Sequence, residues 1–240
     1  MIPLHDDTPT ENTPVVTVAV IITCTLVFLY EVALPPDVGE LFVYRYGAIP
    51  AAIFGRGRLP PEAAAIPSHL TILTSMFLHG GWMHLIGNML YLWIFGNNVE
   101  DVMGHGRFIV FYLTCGVLAA LSHAAIEPAS GVPMVGASGA ISGILGAYLL
   151  LFPRAQVLVI IPLGIISRMM YVPAALVLGL WFLVQVLSGG MSLGQEGGGV
   201  AFFAHIGGFV AGMILIGLFK RADVRFFADR RHSSWQQSDW

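Results

Sequence analysis

Long apolar runs separated by short polar or glycine-rich stretches dominate the chain. A helix that crosses about 30 Å of hydrocarbon needs roughly 20 apolar residues at 1.5 Å each. Six segments meet or approach that length: Pro14–Leu34, Gly81–Val99, Arg107–Ile126, Gly136–Phe152, Tyr171–Ser188 and Val200–Phe219. The fourth is short and rich in glycine, as if its ends were sunk in protein rather than lipid. The pattern predicts an all-α, polytopic membrane protein with a six-helix bundle. Residues 1–13 precede it as a short N-terminal segment, residues 14–219 form the transmembrane core, and residues 220–240 follow as a polar tail.

Between the first two helices lies a long loop, residues 35–80. It mixes Leu41, Phe42, Tyr44, Tyr46, Ile49, Ile53 and Phe54 with Gly, Pro and three arginines. That composition predicts a segment lying in the membrane interface. Within it, Ile66–Leu78 is apolar enough to pass for the start of the second helix. Between helices four and five, Val157–Ile166 reads as a half-immersed apolar run in an otherwise inner segment.

Composition agrees. Hydrophobic residues make up 56% and charged residues 10%, where soluble domains carry about 25% charged residues; mean hydropathy is +0.78. So little charge leaves lipid as the solvent for much of the surface. A net charge of −3 and the lack of a basic cluster interleaved with aromatics exclude nucleic acid as a partner. Cys24 and Cys115 fall inside apolar runs and read as packing residues. No positive region precedes the first apolar run and no small-residue cleavage site closes it, so it reads as a retained anchor. With the N-terminus inside, eight basic residues (Arg107, Arg154, Arg168, Lys220, Arg221, Arg225, Arg230, Arg231) face Arg45, Arg56 and Arg58 on the other side, which favours both termini inside.

Polar residues within the spans then carry the chemistry. Helices two, four and six all run from outside to inside. His84 and Asn88 stand in the first two turns of helix two, Ser138 in the first turn of helix four, and His205 in the second turn of helix six. All four lie roughly 3–12 Å below the outer helix ends. Unpartnered polar groups in hydrocarbon cost several kcal/mol, so a shared layer points to a common site, wetted from outside. Glycine spacing indicates which helices meet: Gly136, Gly139, Gly143 and Gly146 line one face of helix four, and Ala204, Gly208 and Gly212 one face of helix six. Small residues at such intervals let backbones approach closely. Taken singly, each residue has a structural reading: a membrane serine bonds its i−4 carbonyl, a lone histidine or Asn88 bonds a neighbouring helix.

Three segments, His79–Asn88 (HGGWMHLIGN), Gly136–Gly143 (GASGAISG) and Ala204–Gly212 (AHIGGFVAG), resemble the rhomboid family of intramembrane serine proteases in order and placement. Asn98–Asp101 (NVED) is similar to bacterial members. The resemblance covers about Val15–Phe219. It implies that Ser138 attacks a scissile carbonyl and that His205 takes and returns the proton, as a dyad without an orienting aspartate. It also implies an oxyanion site made by the Asn88 side chain, the His84 imidazole and the Ser138 N–H. His79, Gly136, Gly139 and Gly208 support this site. Helix five and the loop Gly189–Gly199 act as gate and cap. Substrates are membrane-spanning segments of other proteins within the bilayer, with no cofactor and no metal; the expected location is a bacterial inner membrane with the site opening to the outer face. Three departures stand out: no Trp-Arg pair occurs near Leu70-Thr71, Ser142 occupies the position one turn after the serine where an aromatic that stacks on the histidine is expected, and the connection between helices four and five is long. Two other readings remain: an inactive family member that binds membrane helices, and a transporter or metal channel using His79, His84, His123 and His205. The five-residue histidine spacing does not match His-x-x-x-His. His123, at the depth of His205, is the alternative base.

Overall fold

The computed structural model describes residues 1–163, 166–193 and 200–227. The tail beyond, with Arg230 and Arg231, and most of the expected cap lie outside the described residues. Among the described residues, ten α-helices and three strands follow one another: β1 (Ile2–Asp6), α1 (Val15–Ala33), α2 (Pro36–Tyr46), α3 (Pro50–Ile53), α4 (Thr71–Thr74), α5 (Trp82–Tyr91), α6 (Asn97–Met103), α7 (His105–Ile126), α8 (Ser138–Leu151), β2 (Gln156–Leu163), β3 (Ile166–Pro173), α9 (Ala174–Ser192) and α10 (Phe202–Phe219). Four of them, α1, α7, α9 and α10, are individually long and apolar enough to cross a membrane.

The second span is also continuous. A π-helical turn, Leu92–Gly96, joins α5 to α6 with helical backbone angles at both junctions, so Trp82–Met103 forms one rod. It ends at Gly104, whose φ of 80° suits a residue without Cβ. The fourth span, α8, is only 14 residues long, about 21 Å, and most of it is buried. It stands at the centre with α10 and α7 packed along it, so protein rather than lipid covers its ends. With α1, α7, α9 and α10, these two rods make up the mostly helical bundle that the apolar pattern predicts.

Helix α8 and helix α10 meet along the glycine faces. A Cβ built on Gly208 would run into the Gly139 carbonyl, and one on Gly212 into the Gly143 carbonyl, with the Gly143 Cα at 2.6 Å. Cys115 of α7 fills the space beside Gly143, where a Cβ would meet its Sγ at 2.6 Å; both cysteines are free and buried. Only hydrogen fits at these contacts. Close backbone approach here replaces the hydrophobic drive that lipid surroundings remove.

The three strands are an addition that the apolar pattern does not disclose. They form an antiparallel sheet in the order β1-β2-β3, with Ile2 opposite Ile160 and Val157 opposite Val172. The expected half-immersed run is thus a hairpin rich in β-branched residues, with Val157 and Val159 fully buried. Tyr171 belongs to β3, and α9 begins only at Ala174, after Pro173 in extended conformation.

Acidic residues of α6 tie the N-terminal segment to the bundle. Pro14 precedes α1 and offers no side-chain cap. Glu100 supplies one from a distance: its two carboxylate oxygens accept the Val16 and Thr17 N–H groups at 2.9 and 2.8 Å, and His105 Nδ1 lies 2.6 Å from it. A carboxylate at a helix N-terminus satisfies orphan donors and complements the helix dipole. Asp101 accepts the Asn12 N–H and side-chain amide.

Candidate active site

Ser138 is the first residue of α8, and the segment before it is held by the loop between α1 and α5. Ala48 and Met134 exchange backbone hydrogen bonds at 3.0 and 2.8 Å, Ala51 N–H donates to the Ser130 carbonyl, and Gly136 N–H donates to the Ser75 carbonyl at 2.8 Å. The α4 region that resembles the start of a span thus serves as a brace. Gly136 has a φ of +122°, which a side chain would strain. A Cβ there would also meet His84 Nε2 at 2.7 Å and lie 3.6 Å from Asn88 Nδ2. Glycine at 136 therefore lets α5 bring both side chains against the backbone that leads into Ser138.

The side chains of Ser138 and His205 meet: Oγ lies 2.8 Å from Nε2. The imidazole is held on its other side by a residue that the sequence analysis does not single out. Gln185 of α9 has its carbonyl oxygen 2.7 Å from His205 Nδ1. A carbonyl only accepts, so Nδ1 carries the proton and Nε2 is free to accept from the Ser138 hydroxyl. Trp181, one turn before Gln185, lays its indole beside the same imidazole, with ring centroids 5.9 Å apart and planes tilted by 37°. The aromatic missing one turn after the serine is thus supplied from α9. Ser142 instead donates to the Ser138 carbonyl at 2.6 Å. The i, i+4 spacing of Trp181 and Gln185 is the signal that was available: one aromatic and one amide on a single face of an apolar helix.

The remaining residues of the layer surround an open cavity of about 950 Å³, lined among others by His84, Asn88, His123, Ser138, Trp181 and His205. His84 Nδ1 accepts the Gly80 N–H at 3.3 Å, which leaves Nε2–H as its donor. The buried amide nitrogen Asn88 Nδ2 has no hydrogen-bond partner among the described residues. Buried donors are almost always paired, and this one lines the cavity beside Ser138. Ser138 itself lies in the first turn of α8, where backbone N–H groups have no partner within their own helix and the positive end of the helix dipole lies.

Two histidines stand apart from the Ser138–His205 pair. His79 is buried against the edge of the His84 ring, centroids 5.2 Å apart, and its backbone N–H reaches the Glu31 carboxylate. His123 of α7 faces Phe203, centroids 6.4 Å apart. Among the described residues, no group of three or more His, Cys, Asp or Glu side chains could hold a metal ion.

Residues 67–222 match the model of the rhomboid domain. The chain is 30% identical over 189 residues to the mitochondrial rhomboid protein 1 of Saccharomyces cerevisiae, an alignment that covers 72% of this chain and 51% of that protein. It is 44% identical over 78 residues to the rhomboid protease GluP of Bacillus subtilis, covering 32% of this chain and 15% of GluP. It is 31% identical over 160 residues to the chloroplastic rhomboid-like protein 11 of Arabidopsis thaliana, covering 65% and 54%. The chain thus spans about half, or less, of the length of these relatives. With that domain extending over more than half of its residues, the chain belongs to the rhomboid family of integral, multi-pass, helical membrane proteins.

Proposed function

We propose that this protein is an intramembrane serine endopeptidase. The observation that carries the reading is the 2.8 Å approach of Ser138 Oγ to His205 Nε2 within a cavity that also presents the unpartnered Asn88 amide. Nucleophile and base lie within hydrogen-bond reach, and a donor faces the place where negative charge develops.

In this mechanism His205 Nε2 takes the Ser138 hydroxyl proton as Oγ bonds to the scissile carbonyl carbon. The Asn88 amide, His84 Nε2–H and the Ser138 N–H receive the oxyanion. When the tetrahedral species collapses, the C–N bond breaks and the leaving amine takes the proton from Nε2. Water, deprotonated by His205, then bonds to the acyl carbon, and the C–Oγ bond breaks as Nε2 returns that proton to Ser138. Gly136 makes room for the oxyanion donors, Gly139 and Gly208 bring α8 and α10 together, and His79 steadies the turn that carries His84. No cofactor or metal enters these steps.

The substrates are transmembrane segments of other membrane proteins. A fully hydrogen-bonded helix hides its peptide bonds, so such a segment must unwind before it reaches Ser138. Residues 14–219 carry the activity, with residues 1–13 and the 220–240 tail on the cytoplasmic side. The bias of basic residues supports that orientation, and the Asn98–Asp101 similarity supports a bacterial inner membrane, with the cavity opening to the outer face. Helix α9 is the gate.

The test combines fluorophosphonate labelling in detergent with cleavage of a reconstituted helical substrate. Wild type labels and cleaves, Ser138→Ala does neither, and His205→Ala loses cleavage while His123→Ala retains most of it. Folded wild type that never labels or cleaves would leave an inactive helix-binding relative, and a His123→Ala variant as dead as His205→Ala expected to be, with His205→Ala active, would transfer the base to α7.

A further inference from the structure

We propose that Gln185 is a positioning residue that completes a Ser138–His205–Gln185 triad by holding the imidazole in its Nδ1–H form. The proposal rests on the hydrolase reading above and adds a residue that a two-member dyad does not contain.

The geometry is specific. Gln185 is buried, its carbonyl oxygen lies 2.7 Å from His205 Nδ1, and Ser138 Oγ lies 2.8 Å from Nε2 on the far side of the ring. The proton on an imidazole goes where the other nitrogen's hydrogen bond leaves it. Left alone, a histidine side chain in water favours the Nε2–H form. In that form the nitrogen facing Ser138 would carry a proton and could not accept another. In soluble serine proteases the wrong tautomer costs about 10⁴-fold in kcat.

A glutamine suits this place better than an aspartate. A carboxylate at this depth would have to be buried away from water, with a large desolvation penalty. The amide carbonyl directs the Nδ1 proton without a net charge. It cannot take that proton, so proton transfer remains between Ser138 and His205 alone. Trp181, on the same face of α9, limits rotation of the ring about its own axis. Because both restraints come from α9, the base is set only while α9 is docked against α10. The other titratable groups facing the imidazole, His84 of α5 and His123 of α7, make no hydrogen bond to Nδ1 and cannot substitute.

The decisive measurement is ¹⁵N NMR of the His205 ring in detergent-solubilised full chain, for wild type, Gln185→Leu, Gln185→Met and Gln185→Glu. It is paired with kcat and KM on a reconstituted helical substrate. We expect Nδ1–H in wild type, Nε2–H in the Leu and Met variants, and a fall in kcat of at least about 10-fold in both with KM within about 3-fold. Gln185→Glu, which keeps an oxygen acceptor at the same reach whether or not it is ionised, restores Nδ1–H and most of kcat. A purely structural role would lower the folded fraction without switching the tautomer and would not be rescued by Glu. An Nε2–H ring in wild type, or kcat within twofold of wild type in the Leu or Met variant, overturns the proposal. If wild type neither cleaves nor labels at Ser138, the hydrolase reading fails separately. The tautomers of wild type and Gln185→Leu still decide whether Gln185 sets the ring.

Discussion

At the scale of single residues, Ser138, His205 and Gln185 form a continuous chain of hydrogen bonds, whereas the buried Asn88 Nδ2, which lines the same cavity, has no acceptor among the described residues. An unpaired donor in a protein interior costs about 1–3 kcal/mol, and the proposed oxyanion would offset that cost during the reaction. Asn88→Ala should therefore lower kcat by roughly 10²–10³-fold and leave KM within a few-fold, as measured by steady-state cleavage in liposomes. A loss confined to KM would remove Asn88 from the oxyanion site. Ser138, His205, His84 and Asn88 were legible in the chain because they are polar residues at one depth in three parallel spans. Gln185 and Trp181 were not. They sit on an antiparallel span, so their depth must be counted from its far end, and periodicity cannot say that their face of α9 turns towards His205.

At the scale of elements, the contact between α8 and α10 holds the two reactive side chains together. Its stringency differs from one glycine to the next. A Cβ on Gly212 would meet Gly143 backbone atoms that cannot swing aside, whereas one on Gly179 of α9 would meet nothing within 4 Å. Gly212→Val should cost about 1–3 kcal/mol or more through overpacking and take cleavage with it, read as a lowered thermal midpoint in detergent. Gly179→Ala should be neutral or slightly stabilising, since alanine is the better helix former. Equal tolerance at both positions would mean that the helices are not in close contact in the membrane. The 3, 4, 3 and 4, 4 intervals announce these faces in the sequence. The π turn at Leu92–Gly96 has no such sign, because an apolar run reads alike whether its backbone bonds to i−4 or i−5.

Across the whole molecule, the end opposite the site is fastened by a buried polar network. Asp6 of β1 accepts from Tyr148 of α8 at 2.5 Å and from Asn98 of α6 at 2.9 Å, with Thr8 Oγ1 3.1 Å from the tyrosine hydroxyl. Burial raises the Asp6 carboxyl above its ordinary 3.8, against the opposing pull of these hydrogen bonds. A carboxyl raised on folding contributes stability that is fully present below its unfolded pKa and is lost as pH rises through its folded pKa. Asp6→Asn, which keeps an oxygen acceptor without the charge, should thus gain on wild type in thermal midpoint as pH is raised from 4 to 7. A wild type that instead gains on the variant over that range would mean that the donors outweigh burial.

The amino-acid sequence by itself determined that this chain is a helical, multi-pass membrane protein, and which small and polar residues share a helix face or a helix end. These follow from local quantities: apolar run length against membrane thickness, rise per residue, and the spacing of small residues along a helix face. Tertiary structure alone decided that α9 turns Gln185 and Trp181 onto His205, that Glu100 caps α1 across more than eighty positions, and that residues 2–6 add a strand to the 156–173 hairpin. Each of these is a pairing between distant segments whose energy lies in hydrogen-bond geometry. Such geometry exists only once the helices have chosen their rotations about their own axes.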